Sequence, residues 1–155
     1  MEYDPSQDGI THINTYSRGR TKLGRMLSNF YYAPFEHPEH GHFDSVEGYW
    51  YWLKHEDDAL RSLSGYQAKK YGKDLSRQFE EIQRPDFEDQ VITAIQCKLL
   101  SNTDILEEMI KNDLPYAHYY VYESKYAEPK VIPVECTFFL KTLEDMRDFY
   151  RSTKG

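Results

Sequence analysis

Residues 24–55, GRMLSNFYYAPFEHPEHGHFDSVEGYWYWLKH, place nine Phe, Tyr and Trp residues and four His in 32 positions. Each ring taken out of water hides roughly 150–250 Å². A fold containing this segment must therefore close around flat, bulky rings rather than branched aliphatic chains. The rest of the chain points the same way: apolar residues make up only 39%, yet aromatics reach 15%, with 14 Tyr. An aromatic core leaves many Tyr hydroxyls at its margin or around a pocket, where they find hydrogen-bond partners. The length, 155 residues, suits one domain, which can bury roughly 70% of its unfolded surface without covalent staples.

The net charge of −7 and pI of about 5.3 argue against tight nonspecific nucleic-acid binding, which needs a basic face. They leave room for local contacts. Cys97 and Cys136 are the two cysteines and form no CxxC, so they read as reduced thiols. No apolar run approaches 18 residues, and MEYDPSQDG has no apolar signal core. The expectation is a cytoplasmic protein with no membrane attachment.

Residues 1–9 are polar, with Pro5 and Gly9, and are expected to be a flexible N-terminus; residues 10–155 are expected to form a single domain. Ile10 to Tyr16 alternates as a short strand does. Leu27 to Phe35 reads as a Tyr/Phe-rich strand or extended segment, and His37 to His42, with Pro38 and Gly41, as a hairpin-like turn. Helices are expected over 44–54, where Asp44 at N-cap and Glu47 at N3 fit a capping box, and over 64–71, stopped by Gly72. A third covers 86–100, with Phe87, Val91, Ile95 and Leu99 on one face, and a fourth 103–110. Residues 116–122 and 131–139 read as strands, and 142–151 as a last helix with Leu143, Met146 and Tyr150 inward. The fold class is α+β: a compact, mainly helical domain with a few short strands.

Several constellations could carry chemistry. His37, His40 and His42 alternate with Glu36 and Glu39, but no HExxH or Cys pair accompanies them; they read as a soluble surface turn, and no metal is expected. There is no GxSxG nucleophile elbow. Arg18, Arg20, Lys22 and Arg25 surround Gly19 and Gly24. Either this is a phosphate-binding loop, in which glycine lets backbone approach and Arg forks match phosphate oxygens, or it is a solvated turn. Glu47 and Lys54, seven apart, share a helix face roughly 10 Å long, with Trp50 and Tyr51 between them. They are either a cleft wall with an acid at one end and an amine at the other, or a capping acid and a C-terminal cation that suit the helix dipole.

Four segments, INTYS (13–17), G-x-x-LSNFYYAPF (24–35), FDSVEGYWYWLK (43–54) and YQAKKYGKDL (66–75), resemble in order and spacing the NADAR family, also called YbiA-like. The likeness extends through 87–100 and LSNTDILEEMI, covering about residues 10–112. It implies a YbiA-like fold and an N-glycosidase that breaks a ribose C1–N bond, with no cofactor. The substrates it implies are guanine carrying ADP-ribose, in nucleic acid or as a nucleotide, or riboflavin-pathway intermediates. Relatives sit beside ADP-ribosylating toxins or in bacteriophages, which suggests removal of a toxin's mark. No obligate protein partner follows.

In that reading Glu47 stabilises the oxocarbenium-like state or activates water, kept ionised by its helix N-terminus. Lys54 donates to the leaving group, holds phosphate or forms a Schiff base. Trp50 and Tyr51 stack on a base or ribose. Arg18, Gly19, Arg20 and Lys22 take the pyrophosphate, and Ser28, Asn29 and Phe30 match the family's Ser-Asn-Phe. The chain departs from the family after residue 112. HYYVYESKYAEPKVIPVECTFF stands where the family has Asn-Asp-x-x-Trp-Gly, and Glu123 is the nearest acid. The alternatives are a non-catalytic ADP-ribose-binding module and a structural or inhibitory interaction protein with an acidic surface.

Overall fold

A computed structural model describes residues 3–154 of the chain. It is α+β and weighted to helix. The helices are α1 (Lys22–Leu27), α2 (Val46–His55), α3 (Gly65–Gln78), α4 (Phe87–Ser101), α5 (Thr103–Met109) and α6 (Thr137–Lys154). The strands are β1 (Ile13–Asn14), β2 (Phe35–His37), β3 (Gly41–Phe43), β4 (Tyr116–Ala117), β5 (Tyr119–Tyr122) and β6 (Lys130–Pro133). Among the described residues no helix is long and apolar enough to cross a membrane. The chain falls into two compact units, residues 3–28 with 107–154, and residues 29–106.

In the first unit β1 pairs in parallel with β4, Ile13 opposite Tyr116, and β5 pairs antiparallel with β6. Residues 4–20 carry defined local contacts. Pro5–Gln7 form a turn of 3-10 helix capped by Asp4. The buried Asp8 carboxylate accepts from the Asn14 N–H at 2.9 Å and the Arg20 N–H at 2.9 Å. His12 Nε2 meets the Tyr119 hydroxyl at 2.6 Å, and the Asn14 side chain bridges the Tyr119 backbone from both sides. β1 is thus shorter than the alternation over 10–16 suggests, because only its centre finds a partner strand. VIPVECTFF does not stay extended either: β6 ends at Pro133 and α6 begins at Thr137. Phe139, Leu143 and Met146 then line one buried stripe. The Arg147 and Arg151 side chains of α6 donate to the carbonyls of Ile110, Asn112 and Leu114 just after α5.

The second unit is the aromatic one. β2 and β3 form the hairpin expected at 37–42, with Phe35 opposite Phe43. Phe35, Phe43, Tyr49 and Trp52 pack ring on ring at centroid separations of 4.8–6.3 Å. His37 is no surface residue: it is 3% exposed and stacks on both His40 and Tyr49, whose rings also meet each other. Its Nδ1 accepts the N–H groups of Glu39 and His40, and burial holds its pKa below the usual histidine value. Leu27 to Phe35 is not a strand; Leu27 ends α1, and pairing begins at Phe35.

α3 runs through Gly72 instead of stopping there. A Cβ at Gly72 would lie 2.1 Å from Cγ of Tyr51, so this glycine admits the Tyr51 ring between α2 and α3. On α4 the buried positions are Gln90, Val91, Ala94, Ile95, Lys98 and Leu99. Each fully buried aliphatic side chain contributes about 1.5–3 kcal/mol. Phe87, expected on this face, is only half-buried and meets Trp50 edge to face at 4.8 Å.

Candidate functional site: Glu47 and Lys54 on α2

The start of α2 is built differently from the capping box expected of Asp44 and Glu47. The N-cap is Ser45, whose hydroxyl accepts from the Gly48 N–H at 3.0 Å. Asp44 instead receives the His42 ring at 2.7 Å. Glu47 therefore sits one position too early to reach back to the cap. Gly48 cannot carry a side chain, since a Cβ there would lie 2.4 Å from the Leu60 carbonyl oxygen. The Glu47 backbone N–H donates to the Asn29 carbonyl at 3.0 Å, and the Gly65 N–H donates to that of Phe30 at 2.9 Å. These two bonds fix the Asn29-Phe30 segment against the N-termini of α2 and α3. The side-chain oxygen Oδ1 of Asn29 is buried and without a hydrogen-bond partner.

The Glu47 side chain is half-buried. Burial raises its pKa from 4.5 to about 7, against the pull of the ammonium groups of Lys69, Lys73 and Lys54. This corrects the expectation that the helix N-terminus keeps Glu47 ionised: the loss of water outweighs the dipole and three cations. The carboxyl is thus poised near neutrality. Lys69 also lies 5.9 Å from the centre of the Phe30 ring.

Lys54 lies on α2 as its spacing predicts. Its Nζ is 3.6 Å from Glu81 Oε1 and 5.5–5.9 Å from the rings of Trp50, Tyr51 and Phe87. Glu81 accepts from Ser76, which also meets His55. The Ile82 N–H and the Arg84 side chain close the carbonyls of Lys54 and Leu53, so the end of α2 is firmly held. Trp50 keeps part of its ring accessible, whereas Tyr51 is 8% exposed and packed on Gly72. Tyr51 is packed between α2 and α3, and Trp50 is the more accessible of the two rings.

Arg18, Gly19, Arg20, Lys22, Ser28 and Glu123 belong to the first unit; Asn29, Phe30, Glu47, Trp50, Tyr51 and Lys54 belong to the second. Only half of the basic segment is loop, because Thr21 caps α1 through the Gly24 N–H and Lys22 is already helical. Arg18, Arg20 and Lys22 are exposed, while Gly19 is buried, with its carbonyl accepting from Arg25 at 2.8 Å. A Cβ would lie 2.9 Å from the Asn14 carbonyl oxygen at Gly19 and 2.2 Å at Gly24. Both glycines thus serve close packing on β1. Ser28 is the buried C-cap of α1, and Glu123 is exposed just beyond β5.

Sequence reasoning missed Lys69, Lys73 and Lys98. The first two fall at i and i+4 in YQAKKYGKD, a spacing that signals one shared face. Lys98 is 2% exposed, and burial lowers its pKa to about 7; its signal was a cation at the i+7 position of the apolar stripe starting at Val91. Among the described residues no group of three or more His, Cys, Asp or Glu could hold a metal ion. An open recess of about 350 Å³ lined by Ser76, Arg77, Gln78, Phe79, Glu80 and Glu81 contains none of the residues singled out from the sequence. No protein-family model, curated protein or solved structure matches this chain.

Proposed function

We propose that the chain is a YbiA-like N-glycosidase that hydrolyses a ribose C1–N bond, with ADP-ribosylated guanine, in nucleic acid or as a nucleotide, as its substrate. The observation that carries this reading is Glu47: a desolvated carboxyl, free of any capping duty, with a pKa near 7 and lysines around it. The resemblance of 13–17, 24–35, 43–54 and 66–75 to the NADAR family supports the same assignment.

The chemistry asks for such a group. Cleavage develops positive charge on C1 and the ring oxygen, and the departing nitrogen must gain a proton. A carboxyl titrating near 7 supplies both forms at neutral pH. Its protonated form donates to the leaving nitrogen. Its ionised form pairs with the oxocarbenium-like sugar or takes a proton from the attacking water. In sum, the water oxygen becomes bonded to C1 and a water proton ends on the nitrogen. Lys54 and Lys69 attract the anionic diphosphate, and the unpartnered Asn29 Oδ1 is suited to accept from a ribose hydroxyl.

The test is to incubate the protein with ADP-ribosyl guanosine and follow guanosine and ADP-ribose by chromatography. Release that disappears in Glu47→Gln supports the assignment. ADP-ribose binding in calorimetry without release would reduce the protein to a binding module. Release from a riboflavin-pathway intermediate alone would move the substrate to that class.

A further inference from the structure

We propose that the outward face of α3 is a docking strip for single-stranded nucleic acid. Tyr66, Lys70, Lys73 and Arg77 follow one another at intervals of four, three and four, so they share one face of the helix, about 16 Å long. All four are exposed, Tyr66 at 69%. Ala68 and Gly72, buried, take the opposite side. α3 carries four cations, Lys69, Lys70, Lys73 and Arg77, against one acid, Asp74, in a chain whose net charge is −7. Asp74 is shared between Lys70 at 3.7 Å and Arg77 at 2.6 Å. Exposed pairs of this kind are worth little and exchange readily for a phosphate.

The rings at one end of the strip set it apart from a solvated helix. The bond from the Gly65 N–H to the Phe30 carbonyl brings the Phe30–Tyr32 segment to the same end of α3 as Tyr66. Tyr31 and Tyr32 are 36% and 56% exposed. Open aromatic faces followed by a row of cations suit a single strand, whose bases stack on rings while its phosphates meet the charges. An acidic peptide would use the cations and leave the tyrosines idle. The strip ends where Glu80 and Glu81 follow the helix. Binding of an unmodified strand requires no cleavage, so this inference stands or falls apart from the hydrolase reading.

Fluorescence anisotropy with a labelled oligothymidine of about twelve nucleotides tests it. Three cations engaged on phosphates give a slope of about −2 for log affinity against log salt. Lys70→Glu with Lys73→Glu should weaken binding at least about tenfold and flatten that slope. Tyr66→Ala should weaken oligothymidine about tenfold, a lost base stack, while leaving inorganic polyphosphate binding unchanged. Lys141→Glu on α6, equally exposed, should change nothing. If the double variant melts early, Lys70→Gln with Lys73→Gln is read in its place, again with a flatter slope expected. No binding at low salt, an unchanged slope in the charge variants, or polyglutamate bound as tightly as oligothymidine would each overturn the proposal.

Discussion

Glu47→Gln should make the protein more stable and less active at the same time. In the folded chain the carboxyl titrates near 7, against 4.5 for a solvated glutamate. Between those values the folded state holds a proton that the unfolded chain has released, so stability falls as pH rises through that window. The full penalty persists above pH 7. At 1.36 kcal/mol per pH unit it reaches about 3 kcal/mol, an upper bound because the side chain keeps some contact with water. Glutamine keeps the size and never ionises. Its melting temperature should match the wild type at pH 4 and exceed it by roughly 5–10 °C at pH 8. Turnover should fall by about 10²–10⁴ at either pH, the scale of losing a proton-transfer or charge-stabilising group. Melting curves from pH 4 to 9, paired with base release, check both. Parallel melting profiles for the two proteins would refute the desolvated carboxyl. Normal release by a folded Glu47→Gln would refute its role and move the search to Glu123.

Arg20→Ala should weaken ADP-ribose binding by ~1.5–3 kcal/mol in calorimetry, the scale of a hydrogen bond to a charged group; unchanged affinity would make the basic segment a solvated turn. Excess EDTA should leave the melting temperature unchanged, since a structural metal at residues 37–42 would lose its contribution on chelation. Gly72→Ala should cost about 1–3 kcal/mol in urea unfolding by crowding Tyr51, and Tyr51→Leu in the same chain should recover part of it. Lys98 behaves oppositely to Glu47. Its folded pKa lies near 7, below the solvated 10.5, so the unfolded chain binds the extra proton and stability should rise between pH 7 and 10. Lys98→Met should flatten that rise.

The helices most legible in the sequence are those whose own periodicity decides them. α4 and α5 begin and end within a residue or two of expectation, and Val91, Ile95 and Leu99 lie inside as their spacing requires. The misreadings came where a partner distant in the chain decides. Gly72 looks like a helix stop until Tyr51 is found pressed against it. His37 looks soluble until Tyr49 is found stacked on it, whereas His42 is exposed as its turn suggests. Local chemistry favoured Asp44 as cap over its neighbour Ser45, and the choice went to the side chain whose hydroxyl also donates to the Leu63 carbonyl. At the site, Glu47 and Lys54 were visible from their spacing on α2. The lysines of α3 were not, because nothing in the order of residues says that α3 lies against α2. The sign of the Glu47 shift was missed for a related reason: a dipole can be read from a helix start, whereas desolvation depends on what covers it.

The pairing of β1 with β4 has a consequence for how the chain is made. Ile13 meets Tyr116, and residues 29–106 fall between the two halves of the first unit in sequence. On the ribosome, β1, His12 and Asn14 emerge early and must wait for Tyr116 and Tyr119, roughly 5–20 s at ordinary elongation rates. The inserted unit has no such wait, because its strand pairs and helix contacts are internal to it. It can therefore close before the later half of the first unit has been made. The order of folding thus differs from the order of sequence: residues 29–106 can settle before the strand at 13–14 that precedes them.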